Sequence, residues 1–368
     1  MLPRVRPLPV ANPTSRWAVT EVEYIDQPDP DDPDRPLAPN ARLQVYEDHT
    51  RSILSENDSP DIGFRYSVNP YRGCFHACAY CYARPGHEYL SFGAGTDFDR
   101  KLVVKPHAPE LLREVFERPS WTGELLVFSG VTDCYQPLEA TYRLTRGCLE
   151  ACVEYRQPVG VITKSPLIER DLDVLTALAK VASVHVTVSV PFWNEEHARA
   201  IEPFVATPKR RIRTIERLAQ AGLKVGVNVA PIIPGLNDTA IGDVLTAARD
   251  AGAVHAGTVL LRLPGPVAEV FEERLRATLP LRADKVMRRI REAHGGKLYV
   301  ASFGVRGRGG GPYADATRTL FDATARRLGL TTDWMETSYR SADCPPTEPL
   351  PAPSTFTRPD RSPQMKLF

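Results

Sequence analysis

Short apolar runs rich in β-branched residues alternate with longer amphipathic stretches through the middle of the chain. Near-continuous Val, Ile and Leu predicts strands buried on both faces, as in a parallel sheet covered by helices. The stretches between the runs have helical length and end near Gly or Pro. Six βα units joined by right-handed crossovers predict an α/β fold, a partial (β/α)6 barrel of the TIM type. The six runs begin at Phe64, Glu124, Val159, Ser183, Leu223 and Ala256.

The two ends of the chain lack this pattern. Residues 1–61 are rich in proline and locally acidic, as in DQPDPDDPDRPLAPN, and residues 341–368 are again rich in proline. We therefore predict an N-terminal extension over 1–61, the barrel over 62–305, a glycine-rich loop and C-terminal helix over 306–340, and a flexible, disordered tail over 341–368. The extension is expected to dock on the barrel without a core of its own, through Trp17, Tyr24, Leu43, Val45 and Tyr46.

Composition places the chain among ordinary globular proteins, since 42% of its 368 residues are hydrophobic and 25% are charged. The 46 Lys and Arg nearly balance the 45 Asp and Glu, so the net charge of +1 gives no global attraction for nucleic acid or membrane. There is no run of eighteen apolar residues, and the first residues do not resemble a signal peptide. With seven cysteines, the composition predicts a cytoplasmic protein without a membrane partner.

Three of those cysteines lie within nine residues, GCFHACAYC, at Cys74, Cys78 and Cys81. Structural zinc and a plain ferredoxin cluster each take four ligands, so three thiolates in one loop predict an iron-sulfur cluster with one open metal corner. One alternative is a three-Cys-one-His zinc site with His76, in a non-catalytic binding protein stapled by zinc. Another is a set of buried thiols. His76 would require one short loop to surround the metal on four sides, so we interpret it as a loop residue.

Polar residues follow the apolar runs abruptly, at the carboxyl ends of the predicted strands. In parallel α/β sheets these ends carry the chemistry, so the side chains there are expected to converge. The segments are the cysteine loop, 130–133, 163–165, 189–191, 228–231 and 262–264.

The spacing Cys-x3-Cys-x-Tyr-Cys resembles that of the radical S-adenosylmethionine (SAM) superfamily, and the likeness is greatest to its spore photoproduct lyase branch, over about Tyr66 to Tyr313. The motifs that carry it are NPYRGCFHACAYCYARPGHEYL, DFDRKLVVK, TDCYQPLE, ITKSP, VNVAPIIPGLND, LLRLP and FGVRGRGGGPY. The resemblance implies a partial barrel with a 4Fe-4S cluster on Cys74, Cys78 and Cys81. It further implies that SAM binds the open corner and is reductively cleaved to a 5′-deoxyadenosyl radical, which abstracts hydrogen from a substrate. A reductant such as flavodoxin or ferredoxin would supply the electron.

Matching the motifs of the lyase residue by residue also gives expected SAM contacts. Lys164 can neutralise the SAM carboxylate, and Thr132 or Asp133 can accept from its ammonium or ribose donors. Two alternatives stay open: Lys164 as a snorkelling surface lysine and Asp133 as the N-cap of a helix that begins near Pro137. The complete set of expected contacts is Tyr80, Thr132, Asp133, Lys164, Ser189 and Ala230.

One departure from the lyase concerns its hydrogen-donating cysteine, whose position is occupied here by Gly130. The nearest thiol belongs to Cys134, which is either a catalytic hydrogen donor or a small buried residue. The thymine-dimer repair mechanism is therefore not carried over. The substrate stays unknown, although the branch implies a role in nucleic-acid repair or modification.

Three further features have two interpretations each. Cys148 and Cys152 share one helix face and could join Cys134 and Cys344 in an auxiliary cluster, but core packing explains them more simply. The basic run Lys209, Arg210, Arg211 and Arg213 is expected to form a solvated helix face. FGVRGRGGGPY either approaches an anion or forms a turn into the last helix.

Overall fold

The computed structural model describes residues 43–332 and 354–359. Its strands β1 to β10 are Gln44–Glu47, Leu54–Glu56, Tyr66–Val68, Tyr71–Arg72, Lys101–Val104, Leu126–Phe128, Val159–Thr163, Val184–Ser189, Lys224–Ile232 and His255–Leu260. Its helices α1 to α11 are Thr96–Arg100, Ala108–Glu117, Glu139–Tyr142, Leu144–Glu154, Leu172–Ala179, Glu195–Ile201, Pro208–Gln220, Ile241–Asp250, Val267–Thr278, Pro280–Ala293 and Pro312–Arg327. Short 3-10 helices span Arg84–Leu90, Pro166–Asp171 and Asp238–Ala240.

Seven strands form the main sheet in the order β2-β3-β6-β7-β8-β9-β10. Strands β3 and β6 to β10 are parallel neighbours, whereas β2 is antiparallel to β3. The predicted partial barrel is confirmed, and its two edges, β2 and β10, do not pair with each other within the described residues. Six strands of the sheet are the six predicted runs, so all their carboxyl ends meet at one rim.

The predicted run FRYSVNPYRG is divided between two sheets. Strand β3 stays in the main sheet, but β4, three residues later, pairs with β5 in a second sheet of order β1-β5-β4. The chain therefore leaves the main sheet just before the cysteine loop begins. The second sheet and α1 lie against that loop, since Cys74 N donates a hydrogen bond to Phe98 O over 3.0 Å.

Strands also occur inside the segment predicted as an extension. Strand β2 adds to the main sheet, and Ile53 next to it is buried in the main core. Val45 and Tyr46 in β1 are exposed, with the Tyr46 ring centroid 5.1 Å from that of Phe92. Trp17 and Tyr24 lie outside the described residues. Strands of three or four residues are too short to give a recognisable alternation.

Part of the predicted flexible tail is docked. Within 341–368, the described residues 354–359 pack on the main core through Phe356, whose ring lies against Phe116 and Tyr155. Arg358 donates hydrogen bonds to the carbonyls of Phe116, Arg118 and Trp121. The prediction of a mobile tail is wrong for these six residues, because an aromatic anchor and a guanidinium fix them. They lie at the amino ends of β6 and β7, away from the cysteine loop.

The long helix predicted to begin near Pro137 is two helices, α3 and α4. Arg143 between them has a left-handed backbone, with φ of 53°. The buried Glu139 carboxylate accepts hydrogen bonds from Thr145 N and Arg146 N, and so caps the start of α4. Within the described residues, no helix has the length and apolar character needed to cross a membrane.

A buried histidine makes the stability of the sheet depend on pH. His255 in β10 packs on Gly226, where a Cβ would lie 1.9 Å from the ring, and its Nε2 shares a hydrogen bond of 3.1 Å with Thr187 Oγ1. Burial lowers the pKa of His255 to about 3, and neighbouring His185 acts in the same direction. Because the folded pKa lies below the unfolded value of 6.5, the stabilisation is complete above pH 6.5 and is lost as the pH falls towards 3.

We expect the free energy of unfolding of the metal-free protein to fall by about 2 kcal/mol between pH 7.5 and 5 because of His255. Urea denaturation across this range measures it. His255→Gln should remove this share of the slope and leave the share of His87, whose pKa burial lowers to about 4. His49→Gln is the control for loss of an exposed imidazole. Equal slopes in wild type and His255→Gln would show that this imidazole is not protected from protonation.

Candidate cluster and cofactor site

The cysteine loop, residues 73–81, follows β4 and is built from tight turns. Gly73 has φ of 70°, and a Cβ there would lie 2.8 Å from both Leu102 Cδ2 and Phe98 O, so the position requires glycine. Ala77 N donates to Cys74 O and Cys81 N donates to Cys78 O, each over 3.2 Å. These turns reverse the chain between successive cysteines. Cys74 and Cys78 are buried, Cys81 is half-buried, and all three are free thiols.

Two residues outside the cysteine spacing brace the loop. Arg84 is 2% exposed, donates to the carbonyls of Cys78, Ala94 and Gly95, and pairs with Asp99 over 2.9 Å. Its role has no sequence signal beyond its position three residues after the last cysteine of the loop.

The Gln136 amide is the second brace. It accepts from Phe75 N over 3.1 Å and donates to Gly73 O over 3.0 Å. Gln136 belongs to the motif TDCYQPLE, and that motif is the only sequence signal for its role. Both braces bind loop backbone, so they fix its shape without using the thiols.

Asp133 ties the loop to the ends of β6 and β7. Its carboxylate accepts from Thr163 Oγ1 over 2.7 Å, from Lys164 N over 2.8 Å and from Tyr135 N over 2.9 Å. His76 Nδ1 lies 3.4 Å from the same carboxylate. Burial alone would raise the pKa of Asp133, but His76 and these hydrogen bonds outweigh it and lower the pKa to about 2.

This arrangement bears on two alternatives from the sequence. The helix-cap role of Asp133 is wrong, because α3 begins only at Glu139 and Asp133 instead closes a local turn. The His76 ring is directed at Asp133. Within the described residues, no three His, Cys, Asp or Glu side chains, those of the loop cysteines included, are placed to hold a single metal ion. The contact of Asp133 with SAM stays a prediction.

Lys164, at the end of β7, carries its ammonium to the cysteine loop. Its Nζ lies 5.8 Å from the centroid of the Tyr80 ring. Burial raises the pKa of the Cys78 and Cys81 thiols, and the Lys164 charge acts against that rise in both. Burial would lower the pKa of Lys164, but Cys78, Glu202 and Asp133 outweigh it and raise the pKa. Among the described residues, no carboxylate forms an ion pair with this ammonium.

A buried ion pair connects the loop to β8. The Tyr80 hydroxyl donates to Glu202 Oε1, and Arg211 pairs with Glu202 Oε2 over 2.6 Å. Arg211 also donates to Ser189 O over 2.9 Å and is 1% exposed. The expected solvated basic face is therefore wrong for Arg211, because this side of α7 faces the core. The neighbouring Arg210 is also engaged, with Glu169 over 2.5 Å.

The remaining expected contacts occupy the same rim. Thr132 is buried and its hydroxyl donates to Tyr71 O over 2.9 Å. Ser189 ends β8 and is buried, and it is in register with Asn228 of β9. Ala230, two residues further along β9, is half-buried. The structure thus brings Asp133 to His76 and Lys164 to Tyr80 of the loop, whereas Ser189 is connected to Tyr80 through Arg211 and Glu202.

The position of the hydrogen-donating cysteine in the lyase is tightly closed here. A Cβ on Gly130 would lie 2.6 Å from Ser67 Oγ, and Tyr82 donates its hydroxyl to Gly130 O over 2.8 Å. Cys134 has no exposed surface and packs in the main core, with its carbonyl accepting from Thr145 Oγ1. This placement favours the packing role, and a hydrogen-donor role for Cys134 stays a prediction.

Two further cysteines lie away from this rim. Cys148 and Cys152 are buried on α4 within the main core, which agrees with the packing interpretation. Cys344 lies outside the described residues.

The glycine-rich segment bridges the gap between the two edges of the sheet. Leu260 N at the end of β10 donates to Gly307 O over 2.9 Å. Arg306 pairs with Asp61, in the β2–β3 connection, over 2.6 Å. The segment therefore forms a strap from the carboxyl end of β10 to the β2–β3 connection, at the amino end of β3.

Comparison with known proteins shows that the same region of the chain matches a protein family. The radical SAM superfamily profile matches residues 68–248. An uncharacterized protein of Mycobacterium tuberculosis is 40% identical over 206 residues, which are 55% of this chain and 61% of the relative. An uncharacterized protein of Methanocaldococcus jannaschii is 29% identical over 199 residues, 54% of this chain and 71% of the relative. The chain thus spans about three fifths of the length of the mycobacterial relative.

A solved structure of a spore photoproduct lyase mutant with bound AdoMet and dinucleoside spore photoproduct superimposes with a TM-score of 0.54 at 16% identity. The superposition covers 79% of this chain and 82% of the lyase chain. At this identity the likeness concerns the fold.

Proposed function

The chain belongs to the radical SAM superfamily, an enzyme family that uses a 4Fe-4S cluster and SAM, and from this premise we propose that Cys74, Cys78 and Cys81 hold the cluster. Three thiols and no fourth protein donor in the loop fit a cluster with one iron left for SAM. When bound, cluster and SAM supply a 5′-deoxyadenosyl radical that abstracts hydrogen from the substrate. The chain itself supplies orientation, charge and exclusion of water.

The observation that carries the proposal is the ammonium of Lys164. It lies 5.8 Å from the centroid of the Tyr80 ring, its charge acts to lower the pKa of the Cys78 and Cys81 thiols, and no carboxylate among the described residues forms an ion pair with it. A cation that forms no ion pair among the described residues, at the edge of a buried thiol loop, is suited to the carboxylate of SAM. The snorkelling alternative fits less well, because the side chain lies over Tyr80 and is electrostatically coupled to the loop.

The other rim residues have supporting roles in this proposal. Ser189 and Ala230 would line the SAM site from β8 and β9, and Tyr80 would form its floor, held by Glu202. Thr132 and Asp133 would keep the loop and β7 at a fixed separation, because their polar groups already bind protein atoms. The side-chain oxygens of Asp133 and Thr132 would retain lone pairs that can accept a hydrogen bond from SAM.

We further propose that the substrate contains nucleobases. Arg262 lies 5.8 Å from the centroid of the Tyr82 ring, next to Cys81, and 6.0 Å from that of Tyr299. On the strap, Arg306 lies 4.6 Å from the exposed Phe303 ring. Aromatic rings interleaved with arginine are the usual platform for unstacked bases. The lyase structure with its bound dinucleoside supports the same substrate class.

After anaerobic reconstitution and reduction with dithionite, we expect the protein to convert SAM to 5′-deoxyadenosine. Lys164→Met should raise the SAM concentration for half-maximal cleavage about tenfold or more, since a charge-assisted contact is lost. Lys180→Met, an exposed lysine at the end of α5, is the matched control and should change nothing. Liquid chromatography of 5′-deoxyadenosine measures both. If a protein with a reconstituted cluster forms no 5′-deoxyadenosine with any reductant, the proposed function is refuted.

A further inference from the structure

A cavity of about 350 Å³ opens at the same end of the sheet, beyond the residues proposed for SAM. Its walls come from the loop after β8, the turn after β9, helix α10 and the first turn of α11. None of the residues proposed to contact SAM or the cluster lines it. Its volume falls in the range of sites for small organic ligands.

The walls are held in place by hydrogen bonds between loops. The Asn237 amide donates to Pro191 O over 2.7 Å and accepts from Ile233 N over 2.6 Å, and so joins the loop after β8 to the turn after β9. Gly235 N donates to the Tyr313 hydroxyl over 3.1 Å, which fixes that ring against the same turn. The cavity is therefore preformed.

One face of α10 makes the cavity strongly basic. Arg282, Lys285 and Arg289 are three and four residues apart, so they share a face, and all three line the cavity. Arg289 pairs with Glu292 over 3.1 Å and lies 4.6 Å from the Tyr313 ring centroid. Within the described residues, neither Arg282 nor Lys285 forms an ion pair.

Opposing charge in the walls is small. Asp238 is the only acidic residue among those that line the cavity, and its carboxylate already accepts from Gly235 N and Thr239 N. The pKa of His197, also in the wall, is lowered by burial and then by the charge of Arg282. The potential inside the cavity is therefore positive and favours an anion.

We propose that this cavity binds a phosphorylated nucleoside unit of the substrate, with the phosphate on Arg282 and Lys285 and the base against Trp193. A phosphate carries more charge than a carboxylate, and it is matched by two cations that form no ion pair with a described residue. Trp193 and Tyr313 offer aromatic surface for a base within the same walls. The inference rests on the proposed function in taking the bound unit to be part of the substrate.

Calorimetry on the cluster-reconstituted full chain tests it with deoxyadenosine monophosphate, deoxyadenosine and a ten-nucleotide oligothymidylate. The double variant Arg282→Gln/Lys285→Gln should bind the phosphorylated probes about tenfold more weakly, or weaker still. Arg288→Gln, an exposed arginine of the same helix outside the cavity, is the matched control. Binding of the mononucleotide by itself indicates a free nucleotide as source, and binding of the oligomer alone indicates a polymer. Both support the proposal.

The mononucleotide should also raise the pKa of His197 measured by NMR, because bound phosphate offsets Arg282. Three results would overturn the proposal: neither phosphorylated probe binds, deoxyadenosine binds as tightly as its monophosphate, or the double variant binds like wild type. Formation of 5′-deoxyadenosine in the same preparations separates the two claims. Probe binding without any SAM cleavage rejects the proposed function alone, and SAM cleavage without probe binding rejects the cavity alone.

Discussion

Cys78→Ala is expected to lose both the iron-sulfur cluster and all formation of 5′-deoxyadenosine. A three-cysteine loop has no spare thiolate, so removing one leaves two protein ligands for a cluster that needs three. Cys78 is buried in the loop, and the Arg84 brace holds its carbonyl, not its sulfur, so the fold of the loop should survive the change. Iron and acid-labile sulfide analysis after anaerobic reconstitution measures the first loss, and product analysis the second.

Cys152→Ala is the matched control, because it removes an equally buried thiol from α4 in the main core. It should retain iron, sulfide and product. A Cys78→Ala protein that keeps a full cluster would mean that another side chain completes it, and the proposed ligand set would then be wrong. Equal iron loss in both variants would mean that the assay reports stability of the fold.

Arg211→Met is expected to lower the free energy of unfolding of the metal-free protein by about 3 to 5 kcal/mol. The change leaves the Glu202 carboxylate buried without its cation, and an unpaired buried charge is among the costliest single defects. Ser189 O also loses its donor. Urea denaturation at pH 7 measures the effect, and Arg213→Met, an exposed arginine two residues away on α7, should be nearly neutral.

The double variant Arg211→Met/Glu202→Gln separates pairing from packing. A neutral amide costs far less to bury, so the double variant should recover a large part of the loss. If Glu202→Gln adds its own loss to that of Arg211→Met, the two side chains do not act as a pair. Because Tyr80 and Ser189 are both bonded to this pair, we also expect the Arg211→Met protein to need more SAM for cleavage.

The main sheet could be predicted from the sequence because it depends on local pattern. Runs such as VGVITKS and SVHVTVSV are apolar on both faces, and only a covered parallel strand suits them. The cysteine loop was predictable for a different reason, since its spacing limits the number of metal ligands. Both signals are contained in a few consecutive residues.

The features that were missed depend on partners distant in the sequence. Arg211 lies in a run that is solvated by every local criterion, and only its contact with Glu202 and Ser189 O makes burial possible. Arg84 and Gln136 likewise bind backbone carbonyls, which carry no sequence signature. The docking of residues 354–359 depends on Gly123, where a Cβ would lie 2.2 Å from Phe356 Cβ.

In the proposed site, the cluster on Cys74, Cys78 and Cys81 leaves one iron for SAM beside Lys164. Electron paramagnetic resonance of the dithionite-reduced cluster, recorded without and with SAM, tests it most directly. We expect a change in g values on addition of SAM, and a higher SAM requirement for that change in Lys164→Met. A reduced cluster whose spectrum is identical at saturating SAM would contradict it.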